Sequence, residues 1–222
     1  MDADVYTHVI DPSPISVQPP LKAERIPVRH LPYNGPGAVP PRQSPREDGR
    51  PRVCVVWGTS VSGVHGPASF AVPRVVEALS DIDAEVLLTL TGDDRARVES
   101  GPALPPHVRL LERTPLSLLL PECDLVVHHG GAGCTMTGLA AGIPQLAIHA
   151  GSDQEVIADR VAAAGAARSL VNAEADAAAV HGAVTRLLGD PAHRASARAL
   201  RDEMESLPTP ADLVSVLSGL VG

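Results

Sequence analysis

Few folds accommodate the stretch Asp124-Leu125-Val126-Val127-His128-His129 followed directly by Gly130-Gly131-Ala132-Gly133-Cys134-Thr135 and the helix-forming Met136-Thr137-Gly138-Leu139-Ala140-Ala141. A continuous apolar run of this length reads as a parallel strand buried on both faces. The glycines let the backbone turn sharply and approach a ligand closely, and the unpaired N–H groups at the helix start favour an anion. A strand, tight turn and helix of this kind fit a diphosphate, although the same residues also suit a plain connection in any α/β protein. The dinucleotide fingerprint matches less well. Met136 stands where its third glycine belongs, and no acidic ribose reader follows at about 20 residues.

The same alternation continues on both sides of the turn. From residue 52, short apolar runs at 53–57, 85–90, 108–111, 124–129, 144–149 and 167–171 are separated by helical stretches near 69–80, 133–141 and 154–164. Apolar runs joined by helices predict a doubly wound, Rossmann-like parallel sheet. The tail from 176 to 220 reads as helix broken into three pieces by Gly189-Asp190-Pro191 and Leu207-Pro208-Thr209-Pro210. Residues 1–51 differ: prolines are scattered from Pro12 to Pro51 without a helical or strand period, which predicts extended chain and a linker, with its hinge in the polar run 42–51. The expected division is therefore 1–51 and 52–222.

Composition excludes several classes of function. With 222 residues, 44% of them hydrophobic, the chain has material for one large buried core. A formal charge of −8 without a basic run argues against a nucleic-acid surface, which needs clustered Lys and Arg. Trp57, Phe70, Tyr6 and Tyr33 are all the aromatic residues, so a nucleotide base would be read mainly by backbone rather than by stacking. Cys54, Cys123 and Cys134 are odd in number and widely spaced, as expected of reduced thiols in a cytoplasmic protein rather than a disulfide framework or zinc site. No apolar run reaches membrane-spanning length, and the acidic start Met1-Asp2-Ala3-Asp4 is unlike a signal peptide. No membrane or nucleic-acid partner is expected.

The polar clusters fall at strand ends. Adjacent residues on a strand face opposite sides, so His128 and His129 make a poor joint metal site. His129, last before the turn, is the better phosphate contact, and His128 a satisfied packing histidine. His149-Ala150-Gly151-Ser152-Asp153-Gln154-Glu155 follows the next strand, at the same sheet edge. Asp153 and Gln154 suit sugar hydroxyls, while Asp153 or Ser152 also suits a helix N-cap. Gly58-Thr59-Ser60 offers a phosphate contact, Arg113-Thr114-Pro115-Leu116 a flank for the base, and each also reads as a turn. Asp93-Asp94 reads as a solvated helix start. No Ser/His/Asp or Cys/His arrangement is placed together by the sequence, so no catalytic residue is assigned.

These residues resemble the bacterial glycosyltransferases of the two-domain GT-B fold that attach deoxysugars to macrolide and aromatic polyketide antibiotics. The resemblance runs from Pro12-Ser13-Pro14-Ile15-Ser16-Val17-Gln18 and 28–37, through Trp57-Gly58-Thr59-Ser60, to the signature His128–Gly165 with its Asp153-Gln154 pair. It implies the donor-binding half of such an enzyme, with a dTDP-deoxyhexose held by His129, Gly131, Ala132, Gly133 and Cys134. It also implies that Asp153 and Gln154 contact the sugar, that Thr59 and Ser60 approach the phosphates, and that Thr114, Pro115 and Leu116 border the base. The implied chemistry is inverting and uses neither metal nor cofactor.

This sequence departs from the family pattern in three places. Cys134 replaces the usual Thr, His149-Ala150-Gly151-Ser152 replaces a Pro and polar residue, and the length is about half that of a family member. The implied partners are a nucleotide diphosphate sugar and a polyketide-type acceptor bound by an amino-terminal domain outside residues 1–222. That domain would supply the base, so the chain is expected to be inactive alone. Self-association through 1–51 and the last helix, or an auxiliary activator protein, is a further expectation. Two other readings remain: a non-catalytic nucleotide-sugar-binding module or split-enzyme subunit, and, ranked lower, a nicotinamide-dependent Rossmann enzyme.

Overall fold

The computed structural model describes residues 6–35, 49–58, 66–90, 92–111, 114–151 and 153–221. Six parallel strands form the main sheet: β3 (Arg52–Val56), β4 (Glu85–Thr89), β5 (Val108–Leu111), β6 (Leu125–His128), β7 (Gln145–His149) and β8 (Ala167–Val171). Their order across the sheet is β5-β4-β3-β6-β7-β8, which is the doubly wound arrangement. The order reverses between β3 and β6, where Val53 pairs with Leu125 and Val56 with His128. The loops leaving these two adjacent strands therefore diverge and leave a crevice at the carboxyl edge. The expected Rossmann-like fold is the one observed.

Helices cover both faces. On one, α1 (Val72–Ala78) and α6 (Ala177–Gly189) pack on Val53, Val55, Trp57, Leu125, Val127, Leu146 and Ile148. On the other lie α3 (Leu116–Leu119), α4 (Ala132–Ala141), α5 (Asp153–Ala163) and α7 (Pro191–Glu205), with Leu119, Leu139, Val161 and Leu200 facing inward. This two-sided burial explains why the strands are continuously apolar rather than alternating. The helix starts in the tail have local causes. Asp176 and Asp190 cap α6 and α7, accepting from the Ala179 N–H at 2.7 Å and the Ala192 N–H at 2.9 Å. At the amino edge of the sheet, Asp124 accepts the Arg52 N–H at 2.9 Å and the Arg194 guanidinium at 2.5 Å, tying β6 to β3 and α7.

Three features go beyond the sequence reading. Residues 6–35 form a small parallel pair, β1 (His8–Asp11) with β2 (Glu24–Pro27), and they dock on the domain. Val17 is buried with the α4–α7 cluster, its carbonyl accepts Arg160 Nε at 2.9 Å, and Asn34 bridges the Ser117 N–H and the Thr137 hydroxyl. No period announces this sheet, because each strand has only four residues and neither is continuously apolar. The helix α2 (Gly92–Glu99) begins at Asp93-Asp94 as expected, but only Asp93 is solvated. Asp94 is buried and pairs with Arg97 at 3.7 Å, which in turn lies 4.9 Å over the Phe70 ring, a correction to the reading of both acids as exposed. The last helix, α8 (Pro210–Val221), stands outside both cores, with Val214, Val216, Leu217 and Leu220 exposed. Among the described residues no helix is long and apolar enough to cross a membrane.

Candidate functional site

The site is built where β6 gives way to α4 beside the end of β3. His128, the last residue of β6, is fully buried, and its two ring nitrogens are both engaged. Nδ1 accepts the Gly130 N–H at 3.0 Å, so Nε2 carries the proton and donates it to Gln145 Oε1 at 3.0 Å. Gln145 Nε2 in turn donates to the Thr135 carbonyl at 3.2 Å, linking β7, β6 and α4. Burial holds the His128 ring neutral, lowering its pKa to about 3, with the neighbouring His129 adding to the effect. His128 is thus the packing histidine that its position in the sequence suggests, and it shapes the turn rather than meeting a ligand.

His129 points the other way, toward β3. Its ring is nearly buried, tilted against Trp57 with centroids 6.1 Å apart, and its Nδ1 accepts the Gly58 N–H at 3.3 Å. That bond selects the neutral tautomer with the proton on Nε2. The ring fits only because two neighbours lack side chains. A Cβ on Gly58 would lie 2.6 Å from Cε1, and one on Gly131 would lie 2.3 Å from Nε2. The Nε2–H therefore faces the turn at the start of α4. Gly130 reaches this turn with φ +84°, and a Cβ there would press on His149 Cβ at 3.2 Å and Gln154 Cβ at 3.4 Å.

The start of α4 is bare. Gly131 precedes it with no side-chain cap, and no acidic residue lies in its first turn. The leading N–H groups of a helix have no intrahelical partner, and they carry the positive end of its dipole. Ala132 and Gly133 are exposed there, and a Cβ on Gly133 would meet nothing within 4 Å. Cys134 is half-buried against the apolar cluster that holds Cys54 and Cys123, which brings together three thiols far apart in the sequence. Burial pushes the Cys134 thiol up to about 11, so it stays protonated at neutral pH. Cys54 is raised well above the ordinary range by its Cys123 neighbour and by burial.

The β7–α5 loop closes the other side. Asp153 starts α5 and is exposed, whereas Gln154 is half-buried behind Gly130, its Oε1 accepting the Ala150 N–H at 3.3 Å. Ser152 lies outside the described residues, as do Thr59, Ser60 and Arg113. Thr114 is half-buried and precedes α3, while Pro115 and Leu116 are buried, Leu116 within the Cys54 cluster. His129, Gly131, Ala132 and Gly133 therefore lie in one turn with Gln154 packed behind it, and Asp153 is the exposed residue next to Gln154. Of Thr114, Pro115 and Leu116, Thr114 is thus the only one partly exposed. A cavity of about 570 Å³ opens elsewhere, between Arg29, His30 and the far half of α4. Among the described residues no three His, Cys, Asp or Glu side chains come together to hold a metal ion.

Two residues of the family signature to which the sequence assigned no role are partners here: Trp57, which walls His129, and Gln145, which fixes His128. The Trp57-Gly58 dipeptide at a strand end was the available signal for the first. For Gln145 the signature gave the residue but not its partner, because that contact depends on strand register.

Comparison with known proteins follows the same outline. The family model described as the erythromycin biosynthesis protein CIII-like C-terminal domain matches residues 73–220. The chain is 40% identical over 212 residues to aklavinone 7-beta-L-rhodosaminyltransferase of Streptomyces galilaeus, covering 95% of this chain and 47% of that protein. It is 37% identical over 211 residues to tylactone mycaminosyltransferase of Streptomyces fradiae, covering 95% and 46%. It thus spans about half the length of the curated relatives it matches. Among solved structures, spinosyn rhamnosyltransferase SpnG complexed with thymidine diphosphate superimposes with a TM-score of 0.85 at 35% identity, covering 94% of this chain and 56% of that one. Spinosyn forosaminyltransferase SpnP gives 0.83 at 33% identity, covering 97% and 55%. The fold is the Rossmann-like half of a GT-B glycosyltransferase, and the chain belongs to the erythromycin biosynthesis protein CIII-like C-terminal domain family.

Proposed function

We propose that this chain binds a nucleotide-activated deoxysugar, a dTDP-sugar, as the donor half of an inverting, metal-independent glycosyltransferase acting on a polyketide-type natural product. The observation that carries the reading is the caging of His129 between Gly58 and Gly131, which turns a single Nε2–H toward an uncapped helix start. A diphosphate placed there receives that N–H together with the leading N–H groups of Ala132, Gly133 and Cys134. These donors are held in place before the ligand arrives, so they stabilise the charge that grows on the leaving diphosphate without reorganising. The match to a transferase complexed with thymidine diphosphate supports the nucleotide, and the names of the relatives support the deoxysugar.

In this reading Asp153 and Gln154 receive the sugar hydroxyls, Thr59 and Ser60 approach the phosphates, and the backbone at Thr114, Pro115 and Leu116 borders the base. Residues 1–51 form the end of an acceptor domain and its linker, and residues 52–222 the donor domain. Deprotonation of the acceptor falls to a base on that acceptor domain, so this chain alone binds donor but transfers slowly or not at all. The exposed apolar side chains of α8 are a surface for that domain, for a second copy or for an activator protein. The site of action in this reading is the cytoplasm.

A second reading, a non-catalytic nucleotide-sugar-binding module or split-enzyme subunit, is favoured by one observation. Cys134 offers a packed, protonated thiol where a hydroxyl is expected, which puts a weak donor in place of a strong one at the phosphate site. Titration calorimetry with dTDP and dTDP-sugars tests the leading proposal: weak, saturable binding is expected, and no heat at millimolar ligand overturns it. Adding the amino-terminal domain of a related enzyme tests the second reading, since restored transfer eliminates the non-catalytic module and leaves a donor half or a split-enzyme subunit.

A further inference from the structure

We infer that Asn172 and Arg74 are positioning residues for the donor site, a role that rests on the reading above. Asn172 follows β8, two strands away from the glycine turn, and no sequence motif includes it. Every polar group it carries is engaged. Its N–H donates to the His149 carbonyl at 2.7 Å, at the end of β7. Its own carbonyl accepts Arg74 Nη1 at 3.0 Å, and its side-chain Oδ1 accepts Arg74 Nη2 at 2.8 Å. Its Nδ2 donates to the Ala68 carbonyl at 3.2 Å. One asparagine thus joins three segments: the end of β7, the helix α1, and the returning leg of the loop that leaves β3.

The consequence follows from how that loop is anchored. Its outgoing leg, Trp57-Gly58, is fixed by the Gly58 bond to His129. Its returning leg is fixed at Ala68 by Asn172, assisted by Ser69, whose hydroxyl donates to the Gly66 carbonyl at 2.7 Å. In the sequence, residues 59–65, which include Thr59 and Ser60, fall between these two anchored positions. The His149 carbonyl held by Asn172 lies four residues before Asp153. The same clamp therefore sets the spacing between the loop that approaches the phosphates and the loop that carries Asp153 and Gln154. Asn172 reaches no ligand itself and acts through the segments it ties. A fork-shaped guanidinium is needed to grip both of its oxygens, which a lysine ammonium cannot do in the same geometry.

Hydrogen exchange of the ligand-free chain and dTDP titration test this together on Asn172→Ala, Asn172→Asp and Arg74→Lys. The aspartate keeps an acceptor for Arg74 but loses the N–H given to Ala68, so it separates the two arms and guards against a variant that fails to fold. Exchange is expected to rise in segments 57–69 and 148–154 for Asn172→Ala, with about a tenfold loss of dTDP affinity and smaller changes for Asn172→Asp. Trp57, the only tryptophan, gives a second readout, since its emission should shift with the loop. Leu200→Ala, in the α4–α7 cluster, should lower the melting temperature while leaving dTDP affinity within twofold. Unchanged exchange in both segments overturns the clamp whether or not dTDP binds. Faster exchange with unchanged affinity overturns the positioning role. Failure of the unaltered chain to bind dTDP instead overturns the donor reading.

Discussion

Replacing Gly131 by alanine probes the caged histidine directly. The backbone at Gly131 has φ −63° and ψ 142°, which alanine adopts without strain, so any effect is steric rather than conformational. The added methyl would sit 2.3 Å from His129 Nε2 and 3.1 to 3.2 Å from Cε1 and Cδ2. The ring is hemmed in by Trp57 and held by the Gly58 N–H, so moving away from the methyl costs it that bond. His129 must leave the cage. The strain should cost about 1–3 kcal/mol of folding stability, as overpacking generally does. Losing one hydrogen bond to a charged phosphate should cost a further 1.5–3 kcal/mol or so of binding, roughly a 10- to 150-fold weaker Kd for dTDP. Gly133→Ala is the contrast, since its methyl meets no protein atom and should add from a few tenths to about 1 kcal/mol of stability through helix propensity. Denaturant titration and calorimetry on both variants decide the matter. A Gly131→Ala protein that keeps the affinity of the unaltered chain would refute the assignment of His129 as a phosphate contact.

Other outcomes follow from the same geometry. His128 stays neutral in the fold down to about pH 3 but protonates near pH 6.5 once unfolded, so its contribution is fully present above pH 6.5 and is lost as the pH falls toward 3. Stability should therefore drop by about 1.4 kcal/mol per pH unit below 6 relative to a His128→Gln protein, and parallel acid titrations of the two would contradict this. Cys134→Thr should tighten dTDP binding by about 0.5–1.5 kcal/mol by supplying a hydroxyl donor, read by calorimetry. The Cys134 thiol itself, with its pKa near 11, should react slowly with iodoacetamide at pH 8, as followed by mass spectrometry. Asp124→Ala leaves the buried Arg52 N–H without its acceptor and frees Arg194, which should cost about 1–3 kcal/mol in denaturant titration, whereas no change would show that the strand-edge tie is dispensable.

The sequence by itself determined the architecture and the location of the glycine turn between β6 and α4. Six apolar runs, bounded by glycines, prolines and capping acids, were enough to place the strands of the main sheet to within a residue or two, because burial on both faces leaves a local and unbroken mark. The glycine turn was legible for the same reason: sharp turns and bare helix starts are properties of neighbouring residues. Even the opposite directions of the His128 and His129 rings followed from strand alternation. What the chain order cannot encode is which distant atoms meet across strands. The small β1–β2 sheet, the buried Asp94 beside Arg97, the three converging thiols and the Gln145 partner of His128 all depend on register and packing. The same holds at the site itself. That Gly58 and Gly131, 73 positions apart, flank one imidazole is decided only when β3 and β6 pair at the reversal of strand order, and that pairing turns a generic glycine turn into a cage with a directed N–H.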